Sequence, residues 1–216
     1  MRLLLALLLL PILLSAQTIP ADGRVHTYSI FTEVQASHIY QVTITQGSEY
    51  TVQLEATEEI KPYLEAEVDR GQLSLRMNQR MNFMDNRKIG RNAKVIVRVT
   101  MPILKELEVS GAANVSVEEF EQPDQDMKID LSGAGHLYIS GSCRNLELEL
   151  SGAGQLTGAN FTAAKCEVDG SGAGQAKMRV TEAIAGKMSG AASLRYTGNP
   201  ANRDVRTSGA GSISGH

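Results

Sequence analysis

The sequence contains no tryptophan, and only four phenylalanines and six tyrosines among 216 residues. A core drawn from that inventory must rest on Leu, Ile, Val and Ala, which suits thin stacked layers better than a thick globular centre. Cysteine is nearly as scarce, with Cys143 and Cys166 alone, so at most one intramolecular disulfide is available. After residue 14 no long apolar run occurs, and no later segment supplies the roughly 20 apolar residues of a membrane-spanning helix. Neither sign of charge dominates: 21 basic residues face 24 acidic ones, net −3, which excludes the electrostatic footprint of a nucleic-acid binder.

What is present begins with a leader. Arg2 is followed by an apolar run from Leu3 to Leu14, broken only by Pro11, and then by Ser15-Ala16 before Gln17. That order reads as a secretory signal peptide over 1–16, cut after Ala16, with Leu14 larger than the small residue usual at that place. Without Arg2 the mature chain has 20 basic and 24 acidic residues, net −4. No cysteine lies near the junction to accept a lipid. The expectation is an exported protein, periplasmic, outer-envelope associated or extracellular, with no integral membrane domain after the leader is removed.

The second half repeats. Ser-Gly-Ala-Gly or Ser-Gly-Ala-Ala begins at Ser110, Ser132, Ser151, Ser171, Ser189 and Ser208, at spacings of 22, 19, 20, 18 and 19 residues. The fifth residue after each Ser is apolar in every copy: Val115, Leu137, Leu156, Ala176, Leu194 and Ile213. Three residues before the Ser stand Leu107, Ile129, Leu148, Val168, Gly186 and Val205. Between the apolar positions come Glu108, Asp130, Glu147, Glu149, Glu167 and Lys177, so the flanks alternate with the period of two expected of strands with one face in and one out. A single repeat cannot bury its own apolar stripe. Stacked copies join the stripes into one core, and the fold expected is an all-β parallel β-helix or β-solenoid with short rungs of about 20 residues. At about 4.8 Å per rung, six copies make a rod of roughly 30 Å.

The tetrapeptide is then the corner of each rung. Gly111, Gly133, Gly152, Gly172, Gly190 and Gly209 are the structural corner residues, suited to a positive φ that costs glycine nothing. The unbroken column Ala112, Ala134, Ala153, Ala173, Ala191 and Ala210 suggests a narrow corner where rungs approach closely. The Ser hydroxyls are placed to bond backbone at the corner or a neighbour above or below. Phosphate-binding glycine loops precede a helix, whereas each of these precedes a strand. Calcium-binding β-rolls need carboxylates after the turn, and the residues there are Asn114, His136, Gln155, Gln175, Ser193 and Ser212.

Residues 25–100 are also mostly β, with "HIYQVTIT" and "YTVQLEA" around a turn at Gln46-Gly47-Ser48-Glu49. They read as irregular strands that cap the 101–216 repeat part or extend it with imperfect rungs, in a single domain over 17–216. The segment "RMNQRMNFMDNRKIGRNAK" stands apart. It carries Arg76, Arg80, Arg87, Lys88, Arg91 and Lys94 against one acid, Asp85, with Met77, Met81, Phe83 and Met84 between them. As an exposed loop it is a candidate for gripping an anionic envelope glycan or a surface protein; as a solvated hairpin it folds its Met and Phe side chains over the solenoid edge.

No catalytic constellation accompanies the repeat. His26, His38, His136 and His216 have no metal-ligand spacing, and His136 is read as pointing outward. The corner Ser is not a nucleophile elbow, which needs a strand before it and a helix after. Glu147 and Glu149, with Glu108, Asp130 or Glu167 from adjacent rungs, are the best enzyme alternative, a glycan-cleaving carboxylate pair on a β-helix. No metal or cofactor is expected. Cys166 aligns with Leu146 in the inward column, while Cys143 lies one rung earlier and three residues away along the strand. That lateral offset alone is roughly 10 Å on an extended chain, so no disulfide is expected unless a bend near Gly141-Ser142 closes the gap.

The corners at 132, 151, 171 and 208, the lead-in "MPILKELEVSGAANVSV" and the upstream "HIYQVTITQGSEYTVQLEA" together resemble the auto-transporter adhesin, head GIN domain family over about the whole mature chain. The resemblance implies a secreted or envelope-associated protein with a right-handed β-helix-like fold and no established catalytic residues. Its function would be adhesin-like binding or scaffolding, without enzymatic activity, for a ligand the resemblance does not name; beside the glycan-active enzyme, a purely structural envelope domain is the other alternative. The family's usual corner is closer to Ser-Gly-Ser-Gly followed by Asp. Here Ala holds the third place and Asp never follows, so an acidic stripe at that place does not carry over.

Overall fold

The protein is described by a computed structural model, in which residues 15–78 and 93–215 are described. Residues 1–14, most of the segment read as a signal peptide, and Arg80, Arg87, Lys88 and Arg91 of the basic segment lie outside the described residues.

In chain order the strands are β1 (Gln17–Thr18), β2 (Val25–Thr27), β3 (Glu33–Ala36), β4 (Tyr40–Gln46) and β5 (Thr51–Ala56). A short 3-10 turn (Lys61–Tyr63) leads to β6 (Leu64–Asp69), β7 (Gln72–Met77) and β8 (Val95–Met101). Then come β9 (Glu106–Val109), β10 (Asn114–Gln122), β11 (Met127–Leu131), β12 (His136–Leu150), β13 (Gln155–Gly170) and β14 (Gln175–Met188). β15 (Ser193–Thr197), β16 (Asn202–Thr207) and β17 (Ser212–Gly215) complete the set.

These strands build a β-solenoid of about six turns with stacked parallel rungs. Before each corner the parallel ladder runs β7, β3, β9, β11, β12, β13, β14, β16. After the corner it runs β8, β4, β10, β12, β13, β14, β15, β17. Rung order is therefore not chain order: β3–β4 is inserted between β7–β8 and β9–β10. Beyond β7–β8 the pairing turns antiparallel, with β6 on β7, β5 on β8, β1 on β6 and β2 on β5. Residues 25–100 thus contain both regular rungs and the cap. The two outermost cap strands are two and three residues long, which leaves little free edge for another chain to pair with.

One corner carries no glycine. Ser37-His38-Ile39 joins β3 to β4 directly beneath Ser110-Gly111-Ala112: the Ser110 N–H donates to the Ala36 carbonyl and the Ala112 N–H to the His38 carbonyl, both at 2.9 Å. His38 adopts φ +61 in the place glycine takes elsewhere. The same ladder of N–H to carbonyl bonds continues through Ala134, Ala153, Ala173, Ala191 and Ala210 at 2.7–2.9 Å.

The glycine expectation holds in part. Gly111, Gly133, Gly190 and Gly209 have positive φ, but Gly152 and Gly172 do not. At those two a Cβ would overlap the carbonyl oxygen of the corner below, so glycine is required there by close approach and not by a left-handed turn. The Ala column also differs from expectation. Ala112, Ala134, Ala153, Ala173, Ala191 and Ala210 are exposed, and the fourth residue of each corner, from Ala113 and Gly135 to Ala192, is the buried one. Alternation counted back from the buried column at Val115, Leu137 and Leu156 produces that phase.

The second bend of each long rung is not a loop. β12, β13 and β14 run continuously for 15, 16 and 14 residues and turn through register shifts, such as those between Val117 and Phe120 and between Tyr138 and Ser140. The core is one continuous cluster from Ile19 to Tyr196, filled by stacked apolar residues such as Leu137, Leu156 and Ala176. Where the column holds Gly170, the Met188 side chain of the next rung occupies the space a side chain would need.

Candidate functional site

Three outward surfaces carry the residues that bear chemistry. The first is the sheet before the corner. Register places Glu33, Glu106, Lys128, Glu147 and Glu167 in one column, and Gln35, Glu108, Asp130, Glu149 and Asp169 in the next. The sequence reading that neighbouring acids come beside Glu147 and Glu149 matches the geometry for Glu167 and Asp130, whereas Glu108 lies two rungs from Glu149 with Asp130 between them. The Lys128 ammonium sits 3.3 Å from Glu147 and 3.0 Å from Glu149, and these two bonds raise its pKa. Asp130, half-buried between Glu108 and Glu149, has its pKa raised, first by burial and then by the two carboxylates. Asp169 is met by Lys187 at 3.1 Å, and Glu108 accepts a bond from Gln35 at 2.8 Å. Glu147 and Glu149 share one lysine on an exposed strand face, which is the arrangement of a surface charge ladder. No group of three or more His, Cys, Asp or Glu among the described residues could hold a metal ion.

The second is an open groove of about 730 Å³ beside the turn before β11. Met127, Leu146 and Cys166 line it together with Lys105, Arg144 and Lys165, three cations that make no side-chain bond or ion pair among the described residues. Asp126 in the same groove accepts from Asn145 at 2.7 Å. Acids and bases alternate along it, so it presents no net field to a charged ligand.

The third is the basic segment. In sequence it links β7 to β8, the strands that pair with β3 and β4. Arg76 is spent on an ion pair with Glu67 at 3.0 Å, and Lys94 is exposed at the foot of β8. The other four cations of the candidate lie outside the described residues.

The cysteines behave as their register requires. Cys143 pairs with Ala163 and Cys166 with Leu146, three residues apart on adjacent rungs, and both are free and buried. Burial pushes both thiols up to about 12, which removes thiolate reactivity near neutral pH. The corner serines use their hydroxyls less than expected. Ser189 donates to the Gly170 carbonyl at 3.0 Å and Ser37 to the Leu75 carbonyl at 3.1 Å. Among the described residues, Ser110, Ser132, Ser151, Ser171 and Ser208 make no side-chain hydrogen bond.

The described residues form a stacked solenoid with charged and uncharged outward ladders. The chain belongs to the family described as "Putative auto-transporter adhesin, head GIN domain", which it matches over residues 30–200. Among solved structures it is similar to a "putative adhesin" from Bacteroides fragilis, at 20% identity and TM-score 0.68, covering 94% of this chain and 97% of that one. It is also similar to a "putative lipid binding protein" from Parabacteroides distasonis, at 17% identity and TM-score 0.53, covering 92% of this chain and 99% of that one. At these identities both share its fold. No functionally curated protein matches the sequence. No helix among the described residues is long and apolar enough to cross a membrane.

Proposed function

We propose that the protein is an exported, non-enzymatic adhesin-like module of the cell envelope, which binds or scaffolds surface material through the outside of its solenoid. The observation that supports this reading is the registered exterior. Long outward ladders of repeated side chains are presented at about 4.8 Å intervals, and the carboxylates that would serve hydrolysis form ion-paired surface columns. A ladder of that kind suits repeated weak contacts along an extended partner. Export rests on the leader over 1–16, and the domain that binds is the whole mature chain. The basic segment from Arg76 to Lys94 is a candidate contact for an anionic partner.

The test is retention of the mature protein on isolated envelope fractions, run in parallel with assays for polysaccharide cleavage. Retention without product is expected. Release of reducing ends or unsaturated products, lost when Glu147 and Glu149 are changed to Gln while retention persists, would replace this reading with a glycan-active enzyme. Changing Arg80, Arg87 and Arg91 together to Glu tests the basic segment: loss of retention with an unchanged circular dichroism spectrum assigns the contact to it.

A further inference from the structure

Around the corners the exterior changes character. Across the corner from the acidic sheet, register aligns Gln41, Asn114, His136, Gln155 and Gln175 in one outward column. Two residues further on it aligns Thr43, Ser116, Tyr138 and Thr157. Two residues back stand the exposed Ala112, Ala134, Ala153 and Ala173, and two further back the corner hydroxyls of Ser110, Ser132, Ser151 and Ser171. From the rung of Asn114 to that of Gln155 these four ladders hold no Asp, Glu, Lys or Arg.

Most of their hydrogen-bonding capacity is also unspent, although the Ser116 hydroxyl donates to Glu118 at 3.0 Å. Stacked amides commonly bond one another along such a column. Here, among the described residues, the side chains of Gln41, Asn114, His136, Gln155 and Gln175 make no hydrogen bond, nor do the hydroxyls of Tyr138 and the four corner serines. Elsewhere on the surface the amides are used: Gln35 on Glu108, Gln46 on the Glu121 backbone and Gln53 on the Gly23 carbonyl. Tyr138, in the ladder of Ser116 and Thr157, is 41% exposed.

We propose that this strip is the ligand-contacting surface, and that its ligand is a neutral, hydroxyl-rich polysaccharide chain lying along the solenoid axis. The proposal rests on the binding-module reading above and names its site and ligand class. Each amide offers a donor and an acceptor, as does each hydroxyl, which matches sugar hydroxyls that also do both. The Ala methyls and the Tyr138 ring provide apolar contact for C–H faces without a protruding side chain to hold the chain off. Charge selects the occupant. An anionic polymer gains nothing from an uncharged strip bordered by acidic columns, and a protein partner lacks the aromatic and Met anchors it would bury. Three rung steps from Gln41 to Gln155 span about 14 Å before Lys177 enters the Thr157 ladder, so more than one sugar unit would be engaged at once and weak single contacts would sum.

The experiment uses the mature protein with cellulose, chitin, curdlan and amylose as neutral probes, and alginate and polygalacturonate as anionic ones. Retention on at least one neutral polysaccharide is expected. It should fall roughly tenfold or more in the triple variant Asn114→Asp, Gln155→Glu, Gln175→Glu, the loss of about one to two hydrogen-bonded contacts. Ala153→Lys, which obstructs the strip without touching the core, should do the same, with thermal unfolding unchanged in both. Retention equal to wild type in both folded variants, loss only in the Arg80/Arg87/Arg91 variant, or binding confined to the anionic probes overturns the proposal. Retention on envelope fractions with none on any neutral polysaccharide overturns it and leaves the binding-module reading standing; retention on neither removes both.

Discussion

Gly152 rests directly on Gly133: the carbonyl oxygen of Gly133 accepts the Ala153 N–H at 2.7 Å, and a Cβ on residue 152 would overlap that same oxygen. The corner ladder and a side chain at 152 are therefore mutually exclusive. Gly152→Ala should cost about 1–3 kcal/mol by forcing adjacent rungs apart. Ala153→Ser, one residue away and exposed, should stay within about 0.5 kcal/mol of wild type. Urea unfolding of the two variants checks the contrast.

Leu156 is 1% exposed and stacks between Leu137 and Ala176. Leu156→Ala should lower stability by about 2–5 kcal/mol through the cavity it leaves. Leu156→Asp, which buries an unpaired charge, should prevent folding. A soluble L156D protein with native thermal unfolding would contradict the placement of this column.

Asp130 makes stability depend on pH. Its raised pKa means that the folded carboxyl keeps its proton to higher pH than the unfolded one. The contribution is complete below the ordinary value of 3.8 and is lost as pH rises through the folded value. Asp130→Asn should therefore be more stable than wild type at neutral pH, with the difference shrinking toward zero in acid. Urea midpoints across the acid range test this, and an advantage that grows on acidification would contradict it.

With both thiols pushed up to about 12, iodoacetamide near pH 8 should label neither Cys143 nor Cys166 in the native protein and both after denaturation. Intact mass of the unreduced, denatured and alkylated protein reads the result. A species 2 Da lighter than the reduced form, with no alkylated thiol, would contradict the observed register.

The last rung bears on association. β16 pairs with β14 and β17 with β15, and neither has a partner on its outer side among the described residues. Register puts Arg203 in the column held below by Leu146, Cys166 and Ile184, and Thr207 in that of Leu150, Gly170 and Met188. A charge in an inward column opposes stacking of another rung. Arg203→Ile with Thr207→Leu should make the protein self-associate in sedimentation velocity, whereas Arg206→Ile on the outward face should not.

The repeat architecture was legible because one chemical requirement recurs at every corner. A Ser-Gly-Ala motif at near-constant spacing, with an apolar residue five places on, admits few arrangements other than stacked rungs. The offset of Cys143 from Cys166 followed from the same count. The corner at Ser37 was hidden because His38 and Ile39 stand where glycine and alanine stand elsewhere, and only the hydrogen bonds to Ser110 and Ala112 reveal it. The inward phase of the fourth corner residue was available from alternation, but the unbroken Ala column drew attention to the wrong slot.

The sequence by itself determined the local periodicities: strands, corners, which residues share a face, and a core of aliphatic columns. These depend on contacts between residues about 20 apart with a repeating pattern, and the pattern is written in the chain. Tertiary structure alone decided which non-repeating segments stack. Pairing of 33–46 between 72–101 and 106–122 is set by whole-rung complementarity across a cap, with no local motif to announce it. It also decided which polar groups are spent. Whether a surface glutamine is bonded depends on the neighbours that folding brings to it, and that is what separates the ion-paired acidic sheet from the uncharged, largely unbonded strip beside the corners.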